Sequence, residues 1–586
     1  MKIKLLLTIL LLPVAFATAQ VKIKINKSIQ YQKIEGFGGN IEYYGNSERT
    51  GSPIISDKHA NDIVNDLGAT IFRHLIDGSM EIKNDNDDPF NTDLSKYNIR
   101  KPDNATQCEG NVHFALDAAA SSFKKVRALA EKNTDKALLY TTVFSPQAWT
   151  KYINCVIGND PLWNRMATDE EEILKGGTDG VGPAKTKDFK DEFAEFCYAY
   201  MKLMDGQGLK VDAFSIQNEP VFPEPYSSCV YSPESYAAVF KRVGKRLRDN
   251  GYASKMIFTE DIGDLGRYNL FVKPIVNDPL SVTFADIAAV HGYASNGITA
   301  GSTDANLWRS LDKVSRQKSL PNTQRSFWQT ETSGYKNHWD IAISIYTGLK
   351  FGKLNAWMHH QLFTNGGLLD EGKDTKNFQY YGCKHFFKYV KQGSISVDAL
   401  PTEDKILATA FQDDKRKTLS VVLINADTVN EKSVQLELVQ TNGVPTTYTM
   451  YLTTKETATT ANAQNLCVNK GTVNAGATFK IPAKGIVTLV GEGSLPEMPT
   501  SNEEATTNET SQELMVYPNP SAGQITLRFA NSTKEKIEIM DAQLKTVNSE
   551  IVDFSNETAD LDISHLSNGI YYLKVKNQVK KVVINK

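Results

Sequence analysis

Two glutamates stand where carboxyl chemistry could be done. Glu219 closes the run Phe214-Ser215-Ile216-Gln217-Asn218-Glu219-Pro220, and Glu331 closes Phe327-Trp328-Gln329-Thr330-Glu331. In each, polar groups follow directly on a buried apolar run, where burial is costly without a partner or a function. Two carboxyls facing each other can cleave a glycosidic bond. One protonates the leaving oxygen and the other meets the oxocarbenium-like charge. At about 5–5.5 Å apart the second attacks directly and configuration is retained; at about 6.5–9.5 Å a water fits and configuration inverts. An ionised carboxylate also favours the protonated form of its neighbour. A lone glutamate at a strand end is more often half of a structural salt bridge. Two of them, one inside Asn-Glu-Pro, favour chemistry.

The elements that must hold this pair can be read from residue 34 to 391, where short apolar runs alternate with helical patterns. Strands are expected at Ile34–Gly38, Thr70–Leu75, Ala137–Val143, Val211–Ile216, Met256–Thr259, Asp286–Val290, Ser326–Thr330 and Asn355–His359. Helices fall between them. Phe189, Phe193, Phe196, Tyr200 and Leu203 step by 4, 3, 4 and 3, which makes one apolar helix face. Ser232 and Pro233 open the helix after the fourth strand as N-cap and first turn. Eight such units are the count of a (β/α)₈ TIM barrel, whose catalytic residues come from the carboxyl ends of its strands. A doubly wound sheet is the rival, but no G-x-G-x-x-G follows an early strand.

The rest of the chain divides by composition. Residues 1–19 read as a secretory signal peptide: Lys2 and Lys4, an apolar stretch from Leu5, then Ala17-Thr18-Ala19. Residues 20–33 alternate as a strand, expected to join an antiparallel β-sandwich formed by residues 392–492. Residues 493–513 are a polar linker, and residues 514–586 form a small all-β domain. The fold class is therefore α/β, a barrel with an appended sandwich and a third small β domain. The balance of 65 basic against 68 acidic residues excludes a nucleic-acid binder held by a basic face. No later stretch is long and apolar enough for a transmembrane helix. Six cysteines are too widely spaced for C-x-x-C chemistry; a Cys155–Cys229 bridge is one option if their loops share a rim.

The ordered motifs resemble glycoside hydrolase family 30, in the clan of retaining barrel hydrolases. They are Gly36-Phe37-Gly38-Gly39, Arg73, Ser145-Pro146-Gln147-Ala148-Trp149-Thr150-Lys151, Gln217-Asn218-Glu219-Pro220, His291-Gly292-Tyr293, Thr330-Glu331-Thr332-Ser333 and Asn355-Ala356-Trp357. The resemblance spans about residues 21 to 492. It implies a β-polysaccharide substrate of xylan, β-1,6-glucan or β-1,6-galactan type, with Glu219 as acid/base and Glu331 as nucleophile. Asn218 would bond the sugar 2-hydroxyl, Arg73 would keep the nucleophile ionised, and Tyr293 would bond near it. Trp149 would line the cleft, and His291, Trp357 and His360 complete the substrate-binding set. His291 could equally be a satisfied core histidine. A glycan-binding protein on a dead barrel is the alternative, disfavoured because both glutamates are present.

Two departures matter. Where relatives place an aromatic near the end of the last barrel strand, this chain has His359-His360-Gln361. Adjacent strand residues face opposite ways, so the two histidines cannot share an ion. The stretch Asn84–Asp93 lacks the ordered spacing of a calcium loop and reads as a solvated loop. No metal or cofactor is expected, and the chain is expected to be monomeric. The tail, with Val516-Tyr517-Pro518-Asn519-Pro520 and Gly569-Ile570-Tyr571-Tyr572-Leu573, resembles the sorting domain of the Por (type IX) secretion system of Bacteroidetes. That implies the secretion machinery as a partner and the outer surface or medium as destination.

Overall fold

The structure is a computed structural model. It describes residues 20–41, 54–86, 88–110, 115–160, 165–166, 189–221, 223–261, 264–293, 304–318, 325–363, 367–370, 375–439, 444–454, 465–493 and, in the tail, 514–517, 521, 523–528, 534–541, 545–554, 558–576 and 578–585. The signal peptide and nearly all of the linker lie outside the described residues. Two compact units divide the chain, Met1–Pro496 and Glu497–Lys586.

Strand β1 (Val21–Lys33) precedes the barrel. The barrel strands are β2 (Gly36–Asn40), β3 (Ile71–Asp77), β4 (Leu138–Ser145), β5 (Ala213–Ser215), β6 (Lys255–Asp261), β7 (Ala285–His291), β8 (Ser326–Glu331) and β9 (Ala356–His359). Each pairs in parallel with the next, and β9 returns to β2, so the sheet closes. All eight expected strands are present. The helices are α1 (Asp57–Asn61), α2 (Leu116–Lys132), α3 (Phe189–Gly206), α4 (Pro233–Asp249), α5 (Leu265–Asn277), α6 (Ala305–Ser315), α7 (His338–Phe351) and α8 (Phe378–Phe387). Ser232 caps α4 as expected, accepting from the Ser235 N–H. A π-helical turn, Asp62–Leu67, continues α1.

Period-two alternation sorts the strand residues into two cores. Ile71, Tyr140, Ala213, Ile257, Ile287, Ala289, Trp328, Ala356 and Met358 fill the barrel interior. Their neighbours Phe72, Leu139, Phe214, Phe258, Ala288, Phe327 and Trp357 face the helices. The interior is thus plugged beneath the mouth, and polar groups at the strand ends sit on an apolar floor. Glycine is required in β2, because a Cβ on Gly38 would fall 1.7 Å from the Ile71 carbonyl oxygen.

The strands after the barrel are β10 (Ile395–Pro401), β11 (Ile406–Asp413), β12 (Thr418–Asn425), β13 (Lys432–Leu438), β14 (Thr447–Thr453), β15 (Val468–Asn474), β16 (Thr478–Ile481) and β17 (Ile486–Glu492). With β1 they form one nine-stranded sheet, in which β1 lies antiparallel to β10 and parallel to β13. The residues preceding the barrel therefore belong to the later module. Val421, Leu423, Val487 and Leu489 share one core with Ile23, Val434 and Ile481, so the sheet folds over on itself as a sandwich. The alternate residues Val422, Ile424 and Ile486 pack into the core shared with the helices, which joins sandwich to barrel.

In the second unit Met515–Tyr517, Gln524–Arg528 and Thr558–Asp562 form a three-stranded sheet. Lys534–Met540, Thr546–Asp553, Gly569–Val575 and Gln578–Ile584 form a four-stranded one. Leu527, Ile537, Ile539, Leu561, Leu573 and Val575 share its core.

The Cys155–Cys229 option is not the one taken: Cys155 pairs with Cys108. Both bridged residues sit in loops at the barrel mouth, next to Val156, whose N–H donates to the Cys108 carbonyl. Cys229 is a buried, unbridged thiol in the core facing the helices.

Candidate active site

The carboxyl ends of β3 to β9 bring one compact cluster together. Arg73 is fully buried at the centre. Its guanidinium donates to Glu331 Oε2, to Glu260 Oε1 at 2.6 Å and to Asn218 Oδ1 at 2.7 Å. Tyr293 donates to Glu331 Oε1 at 2.5 Å. His291 places Nδ1 2.7 Å from Glu219 Oε1 and Nε2 3.4 Å from Glu260 Oε1. Tyr226 donates to the other Glu219 oxygen, Oε2, at 3.2 Å. Glu219, His291 and Glu331 each offer an atom within 4.8 Å of the others.

Two β-bulges aim the acids. Along β6, Ile257 faces the barrel interior while Met256 and Phe258 face the helices, so unbroken alternation would turn Glu260 outward. The register slips between Phe258 and Asp261, and Thr259 adopts φ +56° there. The slip turns Glu260 inward, onto Arg73. On β8 the register slips between Gln329 and Glu331, which sets Glu331 beside His291 of β7. Glu219 itself lies at φ +44°, a left-handed conformation that costs a non-glycine residue on the order of 1–3 kcal/mol and clusters at working sites.

The charges balance within the cluster. Burial pushes the Glu260 carboxyl up, but Arg73, His291 and the Tyr140 hydroxyl prevail and hold it at about 2. Thr142 donates to the same carboxylate at 2.7 Å. Burial likewise opposes ionisation of Glu331. The positive charges of His360 where protonated, of His291 and of Arg73, with the Tyr293 hydrogen bond, hold it well below the usual carboxylate range. Burial would deprotonate His291, but the Glu331 charge and the bonds to Glu219 and Glu260 raise it to about 10. At neutral pH Glu331 is thus an anion pinned at both oxygens, and His291 is a cation against Glu219. The spacing of Glu219, His291 and Glu331 would suit a metal ion, but Arg73 already places a positive charge on Glu331.

Of the expected site residues, Glu219, Glu331, Asn218, Arg73, Tyr293 and His291 come together. His291 is both buried and part of the cluster. His360 continues the inward parity of Ala356 and Met358, and its ring interacts with Glu331, Arg73, His291 and Glu219. His359 faces the other way, against Trp357. Trp357 is not brought to the site. It is fully buried among Tyr335 and Phe387, on the helix side of β9. Trp149 is half-buried; its indole N–H donates to the Glu81 carbonyl at 3.3 Å and its ring meets Phe189 edge to face. In the calcium-like stretch the carboxylates accept backbone N–H groups. Asp85 takes those of Asn86 and Asp93, and Asp88 takes that of Phe90.

Glu260, Tyr140, Thr142, Tyr226 and Glu224 were not among the expected residues. Glu260 carried the signal used for Glu219, an acid one polar residue beyond the apolar run Met256-Ile257-Phe258. Tyr226 and Glu224 lie in a loop with no periodicity.

Residues 515–586 match the model of the secretion system C-terminal sorting domain. This tail directs the chain to type IX secretion, and so to the cell surface or the surrounding medium. Among the described residues no helix is long and apolar enough to cross a membrane. No curated protein matches the chain. Among solved structures, a GH30 endoxylanase from Clostridium papyrosolvens C71 is 19% identical, with a TM-score of 0.56 over 81% of this chain and 100% of that one. The family 30 subfamily 8 xylanase Xyn30A from Clostridium acetobutylicum is also 19% identical, with a TM-score of 0.57 over the same shares. The endo-β-1,6-glucanase BT3312 is 14% identical, with a TM-score of 0.53 over 82% and 95%. These likenesses establish a shared fold, the barrel with its β-sandwich.

Proposed function

We propose that the chain is a secreted retaining glycoside hydrolase that cleaves β-glycosidic bonds of a polysaccharide. Glu331 is the nucleophile and Glu219 the acid/base. The observation that carries this reading is the spacing of the two glutamates. Their nearest oxygens lie within 4.8 Å of each other. That close approach supports a retaining pair, whose carboxyls stand about 5–5.5 Å apart, over an inverting pair at about 6.5–9.5 Å.

In the first step Glu219 gives its proton to the glycosidic oxygen while Glu331 attacks the anomeric carbon from the opposite face. A covalent glycosyl-enzyme forms and the shortened leaving chain departs. In the second step Glu219 takes a proton from water, the water attacks the same carbon, and Glu331 leaves. Tyr293 and Arg73 orient the nucleophile and keep it ionised. Asn218, fixed by Arg73, presents its amide to the sugar beside the reacting carbon. His291 bridges the acid/base to Glu260 and supplies a fixed positive charge.

The substrate is a β-linked polymer of xylan, β-1,6-glucan or β-1,6-galactan type, a reading supported by a xylanase and a β-1,6-glucanase among the neighbours of like fold. His360 stands in place of an aromatic platform, so the sugar there is held by hydrogen bonding more than by stacking. Incubating the purified protein with xylan, β-1,6-glucan and β-1,6-galactan, and identifying the released sugars, tests the reading. Release from one polymer that vanishes in both Glu219→Gln and Glu331→Gln supports it. Release that persists in both overturns it.

A further inference from the structure

The flank of the barrel carries a groove of about 550 Å³, a size common to ligand pockets, between α3, α4 and the loop after β3. Along α3 its lining residues Asp191, Ala194, Tyr198 and Lys202 step by 3, 4 and 4, which is one helix face about 16 Å long. Arg242, Lys245 and Asp249 line it from α4, and Phe90 and Asn91 from the loop. The helices of such a barrel start at its mouth. α3 starts at Phe189, whose ring meets Trp149 edge to face, and Asp191 stands two residues further on. The groove therefore begins beside the rim of the catalytic cleft and runs away from it.

One aromatic ring is held up at this groove. Phe90 is 73% exposed. A lone exposed phenylalanine needs no explanation, but this one is fixed in place. One face of its ring is covered by the Arg246 guanidinium at 5.5 Å, and the same guanidinium lies over the Tyr198 ring at 5.1 Å. Arg246 is nine-tenths buried. It donates to the Pro89 carbonyl and, at 3.1 Å, to Thr92 Oγ1, and it lies 3.8 Å from buried Glu195. The loop also holds itself. Asp88 accepts the Phe90 N–H at 3.0 Å, Asp85 accepts the Asp93 N–H at 2.6 Å, and Asn86 donates to the Asn91 carbonyl at 2.6 Å. These bonds turn the carboxylates of Asp85 and Asp88 onto the loop's own backbone and leave the other face of Phe90 open.

The charges around the ring are paired. Arg242 donates to Asp191 at 3.1 Å, Lys245 pairs with Asp249, and Arg246 faces Glu195. Lys202 adds one exposed ammonium. Such pairs set donors and acceptors side by side with little net charge, which suits a polyhydroxyl ligand more than an ion. An apolar ring beside placed polar groups is complementary to a sugar, which has C–H faces and a belt of hydroxyls. We propose that this flank groove is a second, non-catalytic site for an uncharged β-linked sugar chain. One sugar ring stacks on the open face of Phe90, and its hydroxyls meet the paired side chains of α3 and α4. A chain bound there and continuing past Trp149 reaches the mouth, so the groove holds the polymer near the catalytic pair. This inference rests on the hydrolase reading for its ligand and adds a second contact with the same polymer.

The test is affinity electrophoresis of the full chain through gels holding xylan, β-1,6-glucan, β-1,6-galactan or, as a polyanion, polygalacturonate. Phe90 is left intact or changed by Phe90→Ala or Phe90→Trp, each in the Glu331→Gln background so that no polymer is cut. Phe90→Ala is expected to weaken retardation by the polymer cleaved in the release assay about threefold to tenfold, and Phe90→Trp to keep it. With Glu331 intact, Phe90→Ala should lower kcat/KM on that polymer by a similar factor and leave hydrolysis of an aryl glycoside of its sugar unchanged. Equal retardation with Phe90 and with Phe90→Ala would overturn the inference, as would retardation by polygalacturonate alone that salt abolishes. An equal loss on polymer and aryl glycoside would make Phe90 a support of the catalytic rim and would overturn it too. If the protein cleaves no polymer, the hydrolase reading fails, and Phe90-dependent retardation in the three neutral gels still decides the inference.

Discussion

His291 Nδ1 lies 2.7 Å from Glu219, closer than its other nitrogen comes to Glu260 at 3.4 Å or to Glu331 at 4.0 Å. The imidazole therefore links Glu219 to the Glu260 anion behind it. It is held protonated in the folded state, at about 10 against 6.5 in a free side chain. A group whose folded value is raised contributes stability that is complete below the free value and is lost as pH rises through the folded one. Thermal melts are expected to decline from pH 6.5 to 10 in wild type and to decline less in His291→Asn. Parallel declines in the two proteins would contradict the assignment.

Glu260 has the opposite sign. Its folded value is lowered to about 2 from 4.5, so its contribution is complete above pH 4.5 and is lost as pH falls toward 2. Glu260→Gln leaves the buried Arg73 with one anion fewer, a change that typically costs about 3–5 kcal/mol. The variant should melt well below wild type at pH 7 and converge on it at pH 2–3. A melting point equal to wild type at pH 7 would remove Glu260 from the supporting structure of the site.

The Cys108–Cys155 bridge closes a sequence separation of 47 residues at the rim. Loop entropy assigns such a closure about 4 kcal/mol, with measured bridges commonly at about 2–4. The double variant Cys108→Ala, Cys155→Ala should lose stability of that size in a denaturant titration. It should also loosen the segment around Val156, which hydrogen-bonds both Cys108 and Ser228, and so lower kcat. A midpoint unchanged from wild type would show that the bridge adds nothing in the oxidised protein.

Among the described residues, His360 Nδ1 is buried and has no hydrogen-bond partner. A hydroxyl of the bound sugar can satisfy it, with a net worth of about 0.5–1.5 kcal/mol. His360→Ala is expected to raise KM by about threefold to tenfold and to leave the pH limbs in place. A variant with unaltered KM on the best substrate would place His360 outside the sugar subsite.

Much of this was legible in the sequence where periodicity and chemistry coincide. Phe214-Ser215-Ile216 and Phe327-Trp328 announced buried strands, and the acids after them marked the mouth. Alternation then misleads at Glu260, because a bulge at Thr259 reverses the parity of the side chains beyond it, and no residue type announces that reversal. Trp357 shows the same limit from the other side. It belongs to a matching motif, yet its place between Ala356 and Met358 turns it to the helices. Val468–Asn474 is a largely exposed edge strand whose two valines stand five residues apart, so it carries no alternation to read. The pairing of Cys155 with Cys108 depends on which rim loops meet, and loop lengths do not encode that.

The central claim, that Glu331 is the nucleophile and Glu219 its acid/base, is tested most directly by azide rescue of Glu331→Gly with the product's configuration read by NMR. The variant is expected to lose on the order of 10⁴-fold in kcat. Azide should then restore turnover by occupying the vacated space and forming the α-glycosyl azide from a β-glycoside. In Glu219→Gly azide should instead give the β-azide, because the covalent intermediate still forms. A Glu331→Gly protein that keeps its activity without azide, or a wild-type product of inverted configuration, would contradict the claim.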